Sequence, residues 1–349
     1  MFARKLRDGL LATAAAGALV LGAGSASALT VGSLLSSGGL FSLSDNSAEY
    51  LIKGVDPVTG VANTNPDVVE LGDVLRGIAS IDTVTKGAVQ TGIGTGTAYN
   101  ELTILFEIAV TNKVAVGGAL SGGGTCTSLV CFEFGPTASF AAEVGGLGFA
   151  NTAGAMAAFF EDPAQDFTRT ILTDTDLVTA GTQTTPASIA ADLLAMEASA
   201  TGGLPFWLVG LDVIDDFWLA GTTGDNITLL NLLSNPTSFG SFNMGLSLLD
   251  NPTGPNLNPA LCTDLTSPLI TFSVVEFCAN GGLQAKGPTD GDITGDGIGD
   301  GVAHINTAYD SLDDVNFNIN VVPEPASLGL LGLGLLGLGF ISRRRRNRQ

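Results

Sequence analysis

The feature that most constrains this chain is the alternation of large apolar and small polar residues over short segments. In Ser241–Leu248 every second residue is large and apolar, beginning with Phe242. Successive side chains of a β-strand point to opposite faces, so this pattern predicts a strand with one buried face. Related patterns occur in Asn100–Thr111, Leu269–Phe277 and Val315–Val321, and weaker ones in Ile78–Val84, Ser139–Val144, Met156–Phe160, Thr168–Leu172 and Pro205–Leu211. The chain is therefore predicted to be mainly β.

One segment, Pro186–Ala198, has helical spacing instead, and Gly202 ends it. The 47 glycines and 14 prolines suit many short strands joined by turns. Together these signals predict an antiparallel β-sandwich-like domain over residues 29–322 with one short helical insertion. A division into two smaller domains near residue 180 is the alternative.

The charge balance excludes one class of partner. The chain has 34 acidic and 14 basic residues, a formal net charge of −20. Residues 1–28 and 323–349 hold eight of the basic residues but only two of the acidic ones, so the remainder carries 6 against 32, a net charge of −26. Nucleic-acid binding depends on Lys and Arg contacts to phosphate, so no nucleic-acid partner is expected.

The N-terminal residues have the three parts of a secretory signal peptide. Arg4, Lys5 and Arg7 precede an apolar stretch, and Ala26-Ser27-Ala28 follows it with the small residues that signal peptidase requires. The sequence therefore predicts export with removal of residues 1–28.

The C-terminal segment, residues 323–349, also has three parts. The triplet Pro323, Glu324, Pro325 precedes an apolar run, Leu328–Ile341, which is short and glycine-rich for a membrane span. A basic end follows, made of Arg343, Arg344, Arg345, Arg346 and Arg348. By the positive-inside rule the arginines stay cytoplasmic, so the segment predicts a weak, transient transmembrane anchor that holds the domain on the outer side of the inner membrane. An ordinary single-span anchor is the alternative.

This arrangement resembles the PEP-CTERM sorting signal of Gram-negative bacteria, with the triplet, the apolar run and the Arg-rich end in the same order. The resemblance implies that exosortase, an integral membrane enzyme, recognises and processes the segment. It further implies a chain that reaches the cell surface or extracellular matrix, in connection with exopolysaccharide, biofilm or floc.

Four cysteines, Cys126, Cys131, Cys262 and Cys278, fit an exported chain. An even number in this compartment predicts disulfides, with three possible connectivities. Local pairing, Cys126 with Cys131 and Cys262 with Cys278, is the favoured one. Zinc is the rival interpretation, and the wide spacing of the second pair fits it badly.

A glycine-rich acidic loop is the strongest local indication of a ligand. Carboxylates that alternate with glycine can converge on calcium, which takes six to eight oxygens. The predicted calcium ligands are Asp290, Asp292, Asp296 and Asp300. The stretch resembles the first half of an EF-hand or dockerin-type loop, but Ala303 stands where the bidentate acid belongs. A solvated acidic turn is the alternative.

Catalytic patterns are weak, so no enzyme activity is expected. The one histidine, His304, has no recognisable triad partners. The carboxylate pairs Glu161/Asp162 and Asp215/Asp216 would point to opposite faces of a strand. Trp207 and Trp218 are predicted core residues, with a sugar-binding surface as the alternative. The predicted role is structural or adhesive; the alternative is a secreted polysaccharide-modifying enzyme with a carboxylate pair.

Overall fold

The computed structural model describes residues 28–65, 68–94, 96–121, 124–167, 195–212, 216–222, 240–259, 275–285 and 311–323. Within them lie α1 (Val31–Leu35), β1 (Gly39–Ile52), β2 (Val74–Lys86), β3 (Val89–Gly92), β4 (Glu101–Ala115), β5 (Val130–Pro136), α2 (Ala138–Gly146), β6 (Ala155–Asp162), β7 (Leu204–Gly210), β8 (Phe217–Thr222), β9 (Gly240–Asp250), β10 (Phe277–Ala285) and β11 (Ser311–Val321). Residues 195–200 are also helical. The prediction of a mainly β chain is confirmed.

The strands form one antiparallel sheet that closes on itself. Eight of them make a ring in the order β1, β11, β10, β9, β7, β6, β4, β2, and β2 pairs with β1 again. The predicted sandwich is therefore wrong in architecture, although its antiparallel strands are correct. Alternation along a strand indicates that one face is buried, but a closed barrel and two packed sheets bury that face equally well.

Two long strands let the wall of the barrel divide into two tiers. The first half of β4 pairs with β6 and its second half pairs with β5. In the same way β9 pairs with β7 near its end and with β8 near its start. The space between β4 and β9 is therefore filled by the pair β6–β7 in one tier and by the pair β5–β8 in the other. In both tiers the backbone hydrogen bonds of the wall stay paired.

The barrel interior is filled by side chains. Phe159, Trp207 and Phe277 are fully buried, with ring centres 5.1 to 5.8 Å apart; Trp207 meets both phenylalanines edge to face, and the two phenylalanine rings are tilted to each other. The interior cavity lined by Phe106 and Trp218, among others, measures about 10 Å³, which is room for at most one water. Both tryptophans belong to this core, as predicted.

A second core lies outside the barrel. The helix α2 and the helical residues 195–200 cover the outer face of β2, β4, β6 and β7 and bury Ile78, Leu105, Phe140, Phe160 and Met196 against it. The strand predicted for Ser139–Val144 is wrong, because these residues belong to α2. Thr137 caps the helix by accepting a hydrogen bond from the backbone N–H of Phe140 at 3.1 Å.

The two ends of the barrel differ. Because starts and ends of strands alternate around an antiparallel ring, the starts of β1, β4 and β7 and the end of β11 meet at one end, which we call the junction end. Helix α1 closes it with two fully buried side chains, Val31 and Leu35. The opposite end, which we call the loop end, carries the connections from β1 to β2 and from β4 to β5, described at residues 53–65, 68–73, 116–121 and 124–129. Asp73 fixes the first of these by accepting hydrogen bonds from Gly54 N at 2.9 Å and Asn63 Nδ2 at 2.7 Å.

The remaining sequence predictions fall partly inside the described residues. Strands are confirmed for Ile78–Val84 within β2, Met156–Phe160 within β6 and most of Pro205–Leu211 within β7, as are those in β4, β9 and β11. The strand predicted for Leu269–Phe277 is wrong at its C-terminal end, since β10 begins only at Phe277. Residues 269–274, Thr168–Leu172 and the start of Pro186–Ala198 lie outside the described residues; 195–198 are helical as predicted.

Candidate functional site

The C-terminal segment leaves the barrel directly from its closing strand. Val321, the last residue of β11, is still paired with Gly39 of β1. On the other edge of β11, Asn320 O accepts a hydrogen bond from Asn258 N at 2.7 Å, and Val322 N donates to Asn256 O at 2.9 Å. The end of β11 is therefore held on both sides, by β1 and by residues 256–258.

The first residue of the Pro-Glu-Pro triplet packs on the barrel itself. A Cβ added to Gly38 would lie 2.4 Å from Pro323 Cγ and 2.8 Å from Pro323 Cα, closer than atoms can approach. Gly38 also has a φ of +64°, a conformation that favours glycine. Two requirements thus select glycine here, and the triplet begins without a linker after the folded domain.

A buried carboxylate holds the helix that closes this junction end. Glu161 Oε1 accepts hydrogen bonds from Val31 N, the first residue of α1, at 2.5 Å and from Asn100 Nδ2 at 2.9 Å. Burial raises the pKa of Glu161, and these hydrogen bonds oppose the rise. A carboxylate at the N-terminus of a helix compensates its unpaired N–H groups.

Arg76 of β2 is the centre of an ion-pair cluster under the two helices. Its guanidinium reaches Glu107 of β4 at 2.7 Å, Glu143 of α2 at 2.8 Å and Glu197 of the 195–200 helix at 2.6 Å. Burial alone would lower the pKa of Arg76, but its hydrogen bonds to the three glutamates raise it above the ordinary value. The side chain is a permanent cation that ties both helices to the barrel wall.

Glu107 is further held by two hydroxyl groups. Thr137 Oγ1 donates to Glu107 Oε1 at 2.5 Å and Ser139 Oγ donates to the same oxygen at 2.6 Å. Burial would raise the pKa of Glu107, but these hydrogen bonds and Arg76 outweigh it and lower the pKa. The carboxylate is therefore ionised.

A second acidic group lies further along the outer face of β4. Glu101, Asp162 and Asp166 each bring a carboxylate oxygen within 4.8 Å of the others. Burial is the main cause that raises the pKa of Glu101 to about 7, with Asp162 and Asp166 adding to it and the backbone N–H of Phe167 opposing it. Three oxygens in this arrangement could bind a hard cation, with the remaining three to five calcium ligands drawn from backbone carbonyls or water.

The sequence missed both charged clusters, although one signal was available. Arg76 is one of only six basic residues between residues 29 and 322, and it interrupts an otherwise apolar and small-residue stretch. A charge in a buried strand requires partners. The identity of the three glutamates could not be read from spacing, because they come from separate elements.

The two members of the predicted pair Glu161/Asp162 have different surroundings. Glu161 binds α1, whereas Asp162 belongs to the group with Glu101, as their adjacent positions in a strand predicted. Asp216 accepts hydrogen bonds from Asp212 N at 2.7 Å and Ser247 Oγ at 3.0 Å. Asp215 lies outside the described residues.

Several predicted site residues fall outside the described part of the chain. These are the acidic loop residues Asp290, Asp292, Asp296 and Asp300, together with His304, Glu324, Pro325, Arg343, Arg344, Arg345, Arg346 and Arg348. Their predicted roles stay predictions.

Two of the cysteines form the predicted local disulfide. Cys126 and Cys131 are bonded, with their Cα atoms 5.8 Å apart, and they lie at the loop end, buried against Leu219. Cys278 is also disulfide-bonded, and Cys262 lies outside the described residues.

Among the described residues, none of the helices has the length and apolar character needed to cross a membrane.

Comparison with known proteins assigns the C-terminal segment. No curated protein and no solved structure matches the chain. A protein-family comparison matches residues 321–346 to the PEP-CTERM protein-sorting motif. The match begins at the last residue of β11 and includes the triplet, the apolar run and most of the arginines. The chain therefore carries a PEP-CTERM sorting motif, which marks it as an exported, cell-surface-directed protein that exosortase processes.

Proposed function

We propose that this protein is a non-catalytic component of the cell surface or extracellular matrix, with a structural or adhesive role in exopolysaccharide, biofilm or floc. The observation that carries the proposal is the direct continuity of the sorting motif with β11. Because the motif follows the closing strand without a linker, exosortase would deliver the complete barrel to the surface.

The packed interior supports a role for the outer surface. The described interior is filled by aromatic side chains around a cavity of about 10 Å³, whereas small-molecule sites usually measure about 300–1,000 Å³. A partner would therefore meet the outside of the barrel or its loops. The strong acidity of the domain keeps it soluble until a cation or a polysaccharide neutralises it.

Calcium is part of the proposal. The acidic loop with Asp290, Asp292, Asp296 and Asp300 and the group around Glu101 both offer carboxylate oxygens, the ligands that calcium prefers. Calcium bound at such groups would reduce the negative charge and could bridge the protein to acidic polysaccharide.

The alternative is a secreted polysaccharide-modifying enzyme, and one observation favours it. Glu101 and Asp162 face each other across β4 and β6, and the pKa of Glu101 is raised to about 7, a value suited to a general acid beside a carboxylate. Both side chains are buried, however, and Glu101 accepts hydrogen bonds from Phe167 N at 3.1 Å. A sugar would reach this pair only after residues 164–167 moved.

The first experiment tests export and processing. The protein, with an affinity tag near residue 58 at the loop end, is expressed in a host that contains exosortase, and the C-terminus of the product is determined by mass spectrometry. We expect a processed protein outside the inner membrane, and unprocessed membrane-bound protein for Glu324→Ala. Val322→Ala is the matched control, since it changes the neighbouring residue outside the triplet. Normal processing of Glu324→Ala would contradict this role of the triplet.

The second experiment separates binding from catalysis. The purified protein is incubated with native exopolysaccharide, with and without a calcium chelator, and both retention and newly formed reducing ends are measured. We expect retention that the chelator weakens, without sugar release. Released oligosaccharide that disappears in the Glu101→Gln/Asp162→Asn variant would establish the enzyme instead.

A further inference from the structure

We propose that the junction end of the barrel rests on the lipid surface of the inner membrane before processing, and that the loop end points away from it. The inference rests on the proposed function in one respect, which is that the apolar run Leu328–Ile341 enters the bilayer. It adds which face of the folded domain contacts lipid.

The length of the connection limits how far the barrel can lie from the membrane. Pro323 is packed on Gly38, and Leu328 follows it by five positions. An extended chain covers at most about 3.6 Å per residue, so the connection spans no more than about 18 Å. The headgroup region adds several ångströms on each side of the hydrocarbon core, which shortens the distance left for the domain. The barrel end that carries Pro323 must therefore lie at the membrane surface.

Four exposed apolar side chains are distributed around this end of the barrel. Leu40 is the second residue of β1, Leu204 is the first of β7, and Val322 directly follows β11. Leu29 bridges to Tyr99 just before β4 begins. Their exposed fractions are 53% for Leu29, 54% for Leu40, 61% for Leu204 and 42% for Val322. Apolar side chains at such positions can enter the boundary between headgroups and acyl chains.

Apolar character alone does not select the junction end. The loop end also exposes apolar residues, among them Val58 and Leu129. The short connection from Pro323 to Leu328, which we call the tether, selects between the two ends. The strand β1 has 14 residues and spans about 45 Å along the strand, or roughly 30 Å along the axis of a tilted barrel. The loop end therefore lies far beyond the reach of the short connection.

The contact is apolar rather than electrostatic. The four side chains are uncharged, and the exported domain has a net charge of −26, from 6 basic and 32 acidic residues. Anionic headgroups would repel such a domain at close range. We therefore expect the contact to be at least as strong on zwitterionic lipid as on anionic lipid.

The test uses the full chain in phosphatidylcholine vesicles that contain a lipid with a quencher on its headgroup. Single cysteines for a fluorescent label replace Leu40 or Leu204 at the junction end and Val58 or Leu129 at the loop end, all of them exposed positions. We expect quenching several-fold stronger at the junction end than at the loop end. Equal quenching at both ends, or stronger quenching at the loop end, would overturn the proposal.

A longer tether provides the matched control. Inserting a flexible segment of about 20 Gly and Ser residues between Val322 and Pro323 relaxes the distance limit, so quenching at Leu40 and Leu204 should fall. Unchanged quenching would refute the tether as its cause, and quenching that requires added exosortase would assign the surface to the enzyme instead of lipid. Flotation of the vesicles measures insertion of the apolar run separately. A chain that does not float with the vesicles has failed to insert, which contradicts the proposed membrane anchor and not the orientation of the barrel.

Discussion

Glu101 and Glu107 lie on the same outer face of β4 and are almost equally buried, at 4% and 5% exposure, yet their pKa values move in opposite directions. Glu107 has its pKa lowered, and Glu101 has its pKa raised to about 7. Residue type, strand and burial are the same for both, so the difference comes from the partners.

Those partners come from elements far apart in the sequence. Glu107 faces the cation of Arg76 and two hydroxyl donors, whereas Glu101 faces the carboxylates of Asp162 and Asp166. A buried carboxylate is stable as an ion when opposite charge and hydrogen bonds replace its water, and it takes up a proton when they do not. The comparison shows how one strand can support a permanently charged cluster and a titratable one.

The largest effect is expected from removing the shared cation. Arg76→Met leaves three glutamates without their partner under the helices, and breaking a buried ion pair from one side costs about 3–5 kcal/mol. We expect this loss in the free energy of unfolding measured with urea at pH 7. Lys86→Met is the control, because it removes a cation from an exposed position of the same strand, where Lys86 donates to Ser37 Oγ and Gly38 O and lies 4.9 Å from the centre of the Phe41 ring. An Arg76→Met loss no larger than that of the control would contradict the cluster's role.

The next largest effect is expected for Glu107→Gln, at roughly 2 kcal/mol of destabilisation, because hydrogen bonds to a charged group are lost or weakened. Since folding lowers the pKa of Glu107, the ionised group contributes stability above its ordinary pKa of 4.5, and this contribution disappears as the pH falls through the folded-state value. The difference between variant and wild type should therefore shrink on acidification in urea unfolding series. A constant difference across the series would argue against ionisation as the cause.

Unlike Glu107→Gln, the variant Glu101→Gln should increase the free energy of unfolding at alkaline pH. Folding raises the pKa of Glu101 from 4.5 to about 7, so the folded state holds a proton that the unfolded state releases. The resulting stability is complete below pH 4.5 and is lost as the pH rises to about 7. The variant should therefore be more stable than wild type at pH 8 by about 1–2 kcal/mol and should lack this part of the pH dependence.

Calorimetry between acid and alkaline pH measures this gain. Asp162→Asn is the companion variant, since it removes a neighbouring charge and should lower the apparent pKa of Glu101 toward its ordinary value. A loss of stability in Glu101→Gln at pH 8 would contradict the prediction, because it would mean that hydrogen bonds or opposite charge stabilise the ionised carboxylate in the folded state.

The smallest effect is expected for Ser139→Ala, which removes one of the two hydroxyl donors to Glu107. A single hydrogen bond contributes about 1 kcal/mol, and thermal unfolding should detect the loss. Ser36→Ala is a suitable control, because Ser36 Oγ donates only to the exposed carbonyl of Ser33. Equal effects in the two variants would show that Ser139 adds nothing specific.

The sequence predicted the strands better than their closure. Alternation located β4, β9 and β11, because one buried face leaves a period of two in the sequence. Closure depends on β1 meeting β11, and β1 was missed because Asp45, Ser47 and Glu49 place polar groups at buried positions in the strand. Polar residues at those positions interrupt the apolar alternation that would reveal such a strand.

The helix α2 was mistaken for a strand for a related reason. Phe140 and Val144 are its buried residues and lie four positions apart. Residues at this spacing share one face of a helix, but they also share one face of a strand. The sequence signalled that Arg76 needs partners, but it could not identify them, since the three glutamates come from β4 and two helices. By contrast, the prediction of a PEP-CTERM sorting motif is confirmed by the family match over residues 321–346, because its signal is local in the sequence and does not depend on the fold.

The double-sided pairing at the end of β11 has a mechanical consequence. Any pull on the C-terminal segment acts along β11, which is bonded to β1 on one edge and to residues 256–258 and β10 on the other. A load in this direction strains many backbone hydrogen bonds together instead of opening them one after another. A cell-surface protein attached in this way would resist the drag of flowing water until the hydrogen bonds along β11 broke together.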